Sequence, residues 1–222
     1  MPPKDLPKNL IKEILAGAQH LGLILSTEQA HQLAIYAEIL LEWNQKINLI
    51  SHKAESEIVA RHIVDSLAPW AYLSGKGLVQ KKFVVADLGS GGGFPGIPLK
   101  IAAPHWKMTL IEPTLKKCIF LKEVIQRLGL ENTGVAAYHI DEHSTPPELF
   151  HRFDLVVSRA TLPFPKLFPT AKQLLNTSGQ LIAMVSRKQA AAENNLESWP
   201  YELPDGSAWA LLVSKNIEPS GS

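Results

Sequence analysis

A glycine-rich turn and a few charged residues at the ends of apolar runs are where this chain could do chemistry. Phe83-Val84-Val85-Ala86-Asp87-Leu88 is apolar except for one acid, and glycine follows at 89, 91, 92, 93 and 96. Glycine there lets the backbone take positive φ and lets a ligand come close. Pro95 and Pro98 suit the first turn of a helix, where a missing N–H costs little. Strand, tight turn and helix start form the unit that places a nucleotide-like ligand at the end of a parallel strand. Glu112 ends a second apolar run, 25 residues after Asp87 (112 − 87). Near that spacing, an acid at a strand tip accepts hydrogen bonds from ribose hydroxyls. Ser158-Arg159 ends a further apolar run. An arginine there is costly to bury unpaired, so it must meet an anion, a base edge or solvent, or else a structural ion-pair partner.

The turn can be framed in two ways. Gly91-Gly92-Gly93-Phe94-Pro95-Gly96 fits G-x-G-x-x-G, the dinucleotide fingerprint. Asp87-Leu88-Gly89-Ser90-Gly91-Gly92-Gly93 fits D-x-G-x-G-x-G, the pattern of S-adenosylmethionine (SAM) methyltransferases. The second frame also accounts for Asp87: a carboxylate pointing into the loop suits the positive methionine end of SAM and would repel a pyrophosphate. We therefore expect S-adenosyl-L-methionine on Asp87, Gly89, Gly91 and Gly93, with Glu112 on the ribose. Glu112 supports adenosine binding without choosing the cofactor, and a purely structural glycine turn is the plainer alternative. Ile140-Asp141 follows the third strand pattern and could hold adenine, the isoleucine packing on the ring and the acid accepting from its amine.

Other side chains carry less. His139 and His143 flank Asp141, and the eight histidines and one cysteine show no metal-ligand spacing. Cys118 falls within a helical pattern and reads as buried filler. Lys81-Lys82, Lys116-Lys117 and Arg187-Lys188 decorate a solvated surface, or hold RNA phosphates if they lie near the ligand edge. A net charge of +1 over 222 residues does not announce a nucleic-acid binder. No apolar run reaches the roughly 18 residues of a membrane span, and the amino terminus lacks a signal-peptide core. A single cysteine suits a reducing compartment.

Positioning these residues requires a scaffold, and the chain supplies one in order. Residues 1–7 are expected to fray. Leu10, Ile14, Leu15, Ala18 and Leu21 follow helical spacing up to Gly22. Ser26-Thr27-Glu28-Gln29 has capping-box form and opens a second helix with apolar face Leu33, Tyr36, Ala37, Leu40 and Leu41. A third helix is expected over Glu55 to Leu67. From residue 83, strands and helices alternate, which argues for a parallel sheet covered on both faces. Expected strands are 83–88, 107–112, 133–139, 153–158 and 180–185, then 201–203 and 209–213 as a closing hairpin. Expected helices are a short one before Pro104, one over 115–128 and one over 162–176 broken by prolines; 186–200 reads as a polar loop with a short helix. The fold class is α/β: a Rossmann-like class I SAM-dependent methyltransferase fold with a seven-stranded, mostly parallel sheet and an amino-terminal helical cap. Residues 1–77 are expected as the helical extension and 78–222 as the SAM-binding core.

A wider pattern surrounds the turn. Leu41-Glu42-Trp43-Asn44 with Asn48-Leu49, then Arg61-His62-Ile63-Val64-Asp65-Ser66-Leu67, precede the stretch Asp87 to Leu99, and Ser158-Arg159-Ala160 follows. Together these resemble the ribosomal small-subunit methyltransferase G family (RsmG, formerly glucose-inhibited division protein B), from about residue 10 to residue 216. The resemblance implies a bacterial cytoplasmic enzyme that uses SAM to methylate N7 of one guanosine in 16S ribosomal RNA, with the small subunit as partner. By matching position, Gly89 and Phe94 would line the SAM pocket, Ile140 and Asp141 the adenine site, and Arg159 the donor-facing edge, where it is the candidate catalytic residue. Arg61, His62 and Asp65 match the family's amino-terminal motif, with a structural or an RNA-facing role. The chain departs from the family at His139, where arginine is frequent, and at Val185-Ser186-Arg187-Lys188, where Lys-Gly follows the fifth strand. The rival readings are a SAM methyltransferase on another substrate, an NAD-type oxidoreductase, and a ribosome-associated module without turnover.

Overall fold

The apolar runs from residue 83 onward pair side by side because each is long enough for one strand, and helices over 96–102, 115–128 and 164–174 return the chain for parallel pairing. The computed structural model describes residues 9–51, 62–141, 143–159, 164–193 and 196–214. Its strands are β1 (Val84–Leu88), β2 (Lys107–Ile111), β3 (Thr133–Ala136), β4 (Phe153–Arg159), β5 (Leu175–Ser186), β6 (Glu197–Glu202) and β7 (Ala208–Val213). They form one sheet in the order β3-β2-β1-β4-β5-β7-β6. The pairs among β1 to β5 are parallel, whereas β7 runs antiparallel to both β5 and β6. Strand order reverses between β1 and β4, and ligands of open α/β sheets bind outside the carboxyl ends at such a reversal.

The helices are α1 (Leu10–His20), α2 (Thr27–Asn44), α3 (Ala68–Gly75), α4 (Gly96–Ala102), α5 (Leu115–Leu128), α6 (Phe164–Leu174) and α7 (Arg187–Ala190). The two faces of the sheet bury two separate clusters. Val85, Leu110, Leu155 and Val157 face a cluster built with α1 to α5, and Ala86, Ile111 and Val156 face one built with α6 and α7. Successive side chains of a strand alternate in this way. Asp87, two residues from Val85, and Arg159, two from Val157, therefore share the face covered by the amino-terminal helices.

That cover is fastened where α2 begins. Ser26 Oγ accepts from the Gln29 N–H at 3.1 Å and Gln29 Oε1 accepts from the Ser26 N–H at 2.9 Å, the reciprocal capping box read from sequence. Gln29 Nε2 also donates to the carbonyls of Ile101 and Ala102, at 3.2 and 2.9 Å, which satisfies orphan acceptors at the end of α4. Leu33, Tyr36, Ala37 and Leu40 are buried as expected, while Leu41 is only half-buried. Truncating a fully buried leucine of this kind costs about 2–5 kcal/mol.

Several elements differ from expectation. The expected strand 133–139 stops at Ala136, because its ladder with β2 ends where Ile111 does. The helix before β5 runs through Pro169 instead of breaking there. An interior proline costs about 3 kcal/mol, and the burial of Leu167, Thr170, Ala171 and Leu174 along one face outweighs it. β5 then starts at once, at Leu175, with a register shift opposite Phe153 and Leu155. β6 begins at Glu197, inside the stretch expected as loop, because Pro200 lies on the edge strand, where a missing N–H breaks no ladder. α3 follows Leu67 directly, with Pro69 in its first turn, where proline is tolerated. Residues 62–66 are helical; Arg61, the rest of the expected third helix, residues 1–7 and Ala160 lie outside the described residues. No helix of the described residues is long and apolar enough to cross a membrane.

Candidate active site

The glycine turn sits at the carboxyl end of β1. Gly89, Gly91 and Gly93 take φ of 78°, 54° and 92°, which L residues with side chains disfavour by about 1–2 kcal/mol. Their surroundings differ. A Cβ on Gly91 would meet nothing closer than the Gly89 carbonyl at 3.9 Å, so Gly91 presents open backbone. A Cβ on Gly93 would lie 2.8 Å from Ile97 and 2.9 Å from the Tyr36 hydroxyl, so Gly93 is required by packing as well. From α2, the Tyr36 hydroxyl donates to the Gly92 carbonyl, and the Tyr36 ring packs edge-on against Phe94 with centroids 5.4 Å apart.

Asp87 points into this turn and is wholly covered by it. Its Oδ2 accepts from the Gly96 N–H at 3.1 Å, and its Oδ1 is buried without a hydrogen-bond partner. Burial lifts the carboxyl from its ordinary range to about 7, and the charge of Glu112 adds to the rise; Ser90, the Gly96 N–H and the charge of Arg159 oppose it. The carboxyl is thus shielded from solvent beneath the turn, a placement that the D-x-G-x-G-x-G pattern does not reveal.

Glu112, next after β2, reaches across to the same turn. Its Oε2 accepts from the Gly91 N–H and its Oε1 from the Thr114 N–H, both at 2.9 Å. A carboxylate has about four lone-pair sites, so each oxygen keeps capacity for a ligand hydroxyl. Cys118 is buried and donates to the Glu112 carbonyl at 3.0 Å, in keeping with a filler role. Leu115, at the start of α5 beside this acid, is 70% exposed, an apolar surface that helical periodicity alone did not single out.

Ile140 is buried in the cluster that holds Leu88 and Ile111, the last residues of β1 and β2. Asp141 is partly exposed; its Oδ1 accepts from the His143 N–H at 2.8 Å, and that bond holds its carboxyl below the usual range. His139 Nε2 lies 3.6 Å from Asp141 Oδ2 on the surface.

Arg159 ends β4 across the strand reversal from Asp87. Its Nη1 donates to Asp65 Oδ2 at 3.3 Å, and the two side chains are 17% and 7% exposed. Its Nη2 lies 3.0 Å from His62 Nδ1, and its guanidinium sits 4.7 Å from the Phe94 ring centroid. The His62 ring stacks on Phe94 with centroids 4.9 Å apart. The amino-terminal motif and the strand-end arginine, far apart in sequence, thus meet on the glycine turn. Asp65 also accepts from the Tyr201 hydroxyl of β6 at 2.5 Å, a contact for which the sequence gives no local signal.

The basic pairs divide between the two edges of the sheet. Lys116-Lys117 follows β2 and Arg187-Lys188 follows β5, at the carboxyl edge that carries the turn. Arg187 and Lys188 are exposed in the first turn of α7, behind a Ser186–Gln189 capping box. Lys81-Lys82 precedes β1 and so lies at the opposite edge, away from the glycine turn.

The family model for rRNA small subunit methyltransferase G matches residues 29–201. The chain belongs to that family. A ribosomal RNA small subunit methyltransferase G from Acetivibrio thermocellus is 33% identical over 195 residues, covering 88% of this chain and 78% of that protein. The homologue from a Geobacter species is 37% identical over 183 residues, covering 82% and 79%. Among solved structures, a SAM-dependent methyltransferase from Aquifex aeolicus superposes with a TM-score of 0.52 at 13% identity, over 74% of this chain and 98% of that one. The architecture is the Rossmann-like class I methyltransferase fold. In this family member α2 and residues 62–65 pack on the candidate site, with contacts to the turn and to Arg159.

Proposed function

We propose that this protein transfers a methyl group from SAM to N7 of a guanosine in 16S ribosomal RNA, acting on the small ribosomal subunit. The observation that carries this reading is the meeting of the open glycine backbone, the Glu112 carboxylate and Arg159 at the strand reversal, in a chain of this family. The residues present fit SAM. Gly91 leaves room for close approach, Asp87 keeps one buried carboxyl oxygen without a hydrogen-bond partner under the turn, and Glu112 keeps lone pairs at a strand tip. A pyrophosphate over the ionised form of Asp87 would be repelled, which disfavours the dinucleotide reading. Gly89, Gly91, Gly93 and Phe94 would line the cofactor site, Glu112 would take the ribose, and Ile140, Asp141 and the exposed Leu115 would flank the adenine.

When bound, SAM supplies an electrophilic methyl group on a sulfonium. Guanine N7 already carries a lone pair, so the chain needs no general base. Its task is to hold the reacting atoms at near-attack distance, about 3–3.5 Å apart. Arg159 is suited to donate to guanine O6, because its fork matches that base edge. It must leave N7 free, which excludes a bidentate grip on O6 and N7 in the reactive pose. Asp65 and Phe94 orient the guanidinium for that contact.

Mapping N7-methylguanosine in ribosomal RNA from cells with and without the protein tests this reading. One guanosine of 16S RNA should lose its methyl group and regain it when the purified protein and SAM are added to small subunits. An unchanged methylation map, or a thermal shift with NAD and none with SAM, would reject it.

A further inference from the structure

Arg159 does not stand alone at the edge of the turn, and its support comes from the last hairpin of the fold. Tyr201 lies on β6, buried, and donates its hydroxyl proton to Asp65 Oδ1 at 2.5 Å. The other oxygen of Asp65 accepts from Arg159 at 3.3 Å. A hydroxyl on a carboxylate at that distance is a charge-assisted bond, about twice as strong as a neutral one. Burial and the adjacent Asp65 charge push the Tyr201 phenol far above its usual range, so it remains a donor at every working pH. The tyrosine therefore holds one oxygen of Asp65 and restrains the carboxylate. The other oxygen meets a guanidinium that sits 4.7 Å from the centroid of the Phe94 ring.

We infer that Tyr201 is a positioning residue for methyl transfer: through Asp65 it sets the orientation in which Arg159 meets the target base. The inference rests on the reading of Arg159 given above. Without the hydroxyl, Asp65 Oδ1 would lose a buried donor, and the arginine would keep its charge while its carboxylate partner is held less firmly. The cofactor side of the turn would keep its own supports, Tyr36 on Gly92 and Glu112 on Gly91.

Four proteins test this: wild type, Tyr201→Phe, Arg159→Ala and the double variant. Each is measured for single-turnover methylation of small subunits, SAM affinity by calorimetry, and thermal unfolding. Tyr201→Phe should slow transfer by about tenfold or more, the loss of one hydrogen bond to a charged group, with SAM affinity little changed. The double variant should be no slower than Arg159→Ala, since a tyrosine acting only through the arginine has nothing left to position. A further slowing in the double variant, or wild-type transfer by Tyr201→Phe, would overturn the inference. Wild-type transfer by Arg159→Ala would overturn the reading of Arg159 and the inference with it, and that outcome is visible in the single variant alone. Should Tyr201→Phe unfold, Asp65→Asn makes the same test. It keeps the side-chain shape, should slow transfer to a similar extent, and should add no loss to Arg159→Ala.

Discussion

The hydroxyl of Tyr36, from the amino-terminal helices, donates a hydrogen bond to the carbonyl of Gly92 in the middle of the glycine turn. Both groups are buried, so the turn depends on a helix more than fifty residues upstream for the satisfaction of its backbone. Tyr36→Phe leaves the Gly92 carbonyl buried without this donor, at a cost of about 1–3 kcal/mol. Urea unfolding should show that loss, and calorimetry should show weaker SAM binding in the folded variant. Unchanged values in both measurements would mean that the helical cover does not shape the turn.

The two central glycines should respond differently. Gly91→Ala faces open space, so its cost to the fold is the strain of a positive φ, about 1–2 kcal/mol. Its larger effect should be on SAM affinity, because the added methyl occupies the side from which a ligand approaches. Gly93→Ala adds collisions with Ile97 and Tyr36 to the same strain and should lower the melting temperature more than Gly91→Ala does. Equal melting temperatures would remove the distinction between an open and a packed glycine.

Glu112 serves two groups already, the N–H of Gly91 and that of Thr114. Glu112→Ala should weaken SAM binding by about 1.5–3 kcal/mol, the range for hydrogen bonds to a charged acceptor. Glu112→Gln keeps one acceptor oxygen and should fall between wild type and alanine. Calorimetry on the three proteins checks the order; wild-type SAM affinity in Glu112→Ala would move this residue out of the cofactor site.

Asp87 makes the fold sensitive to pH. Its folded-state carboxyl titrates at about 7, against an ordinary value of 3.8. The native state therefore holds a proton that the unfolded chain has released. The stabilisation from that proton is complete below the ordinary value and is lost as pH rises through about 7. Between about pH 5 and about pH 8 the loss is roughly 2–3 kcal/mol, at about 1.4 kcal/mol for each unit. Asp87→Asn cannot titrate, so the stability difference between wild type and variant should change by that amount across the range. Urea unfolding at the two pH values measures it, and a constant difference would show that Asp87 is ionised throughout.

The local pattern was enough for the strand, turn and helix start around Asp87 and for the acid at the tip of the next strand. Each of these is decided by neighbours a few positions apart: an apolar run, glycines where φ turns positive, prolines where a helix begins. The capping box at Ser26 is of the same kind. What only the tertiary structure decided is which groups meet. Arg159 finds Asp65 across 94 positions, and Tyr201 reaches the same acid across 136. No spacing rule links those residues; they meet because strand alternation puts Arg159 on the face that α1 to α5 cover, and because β6 ends the sheet beside that cover. The burial of Asp87 beneath its own turn, and the start of β6 ahead of Pro200, were hidden for a related reason. A residue's type shows what it can bond, while its depth and its place at the edge or centre of a sheet are properties of the assembled layers.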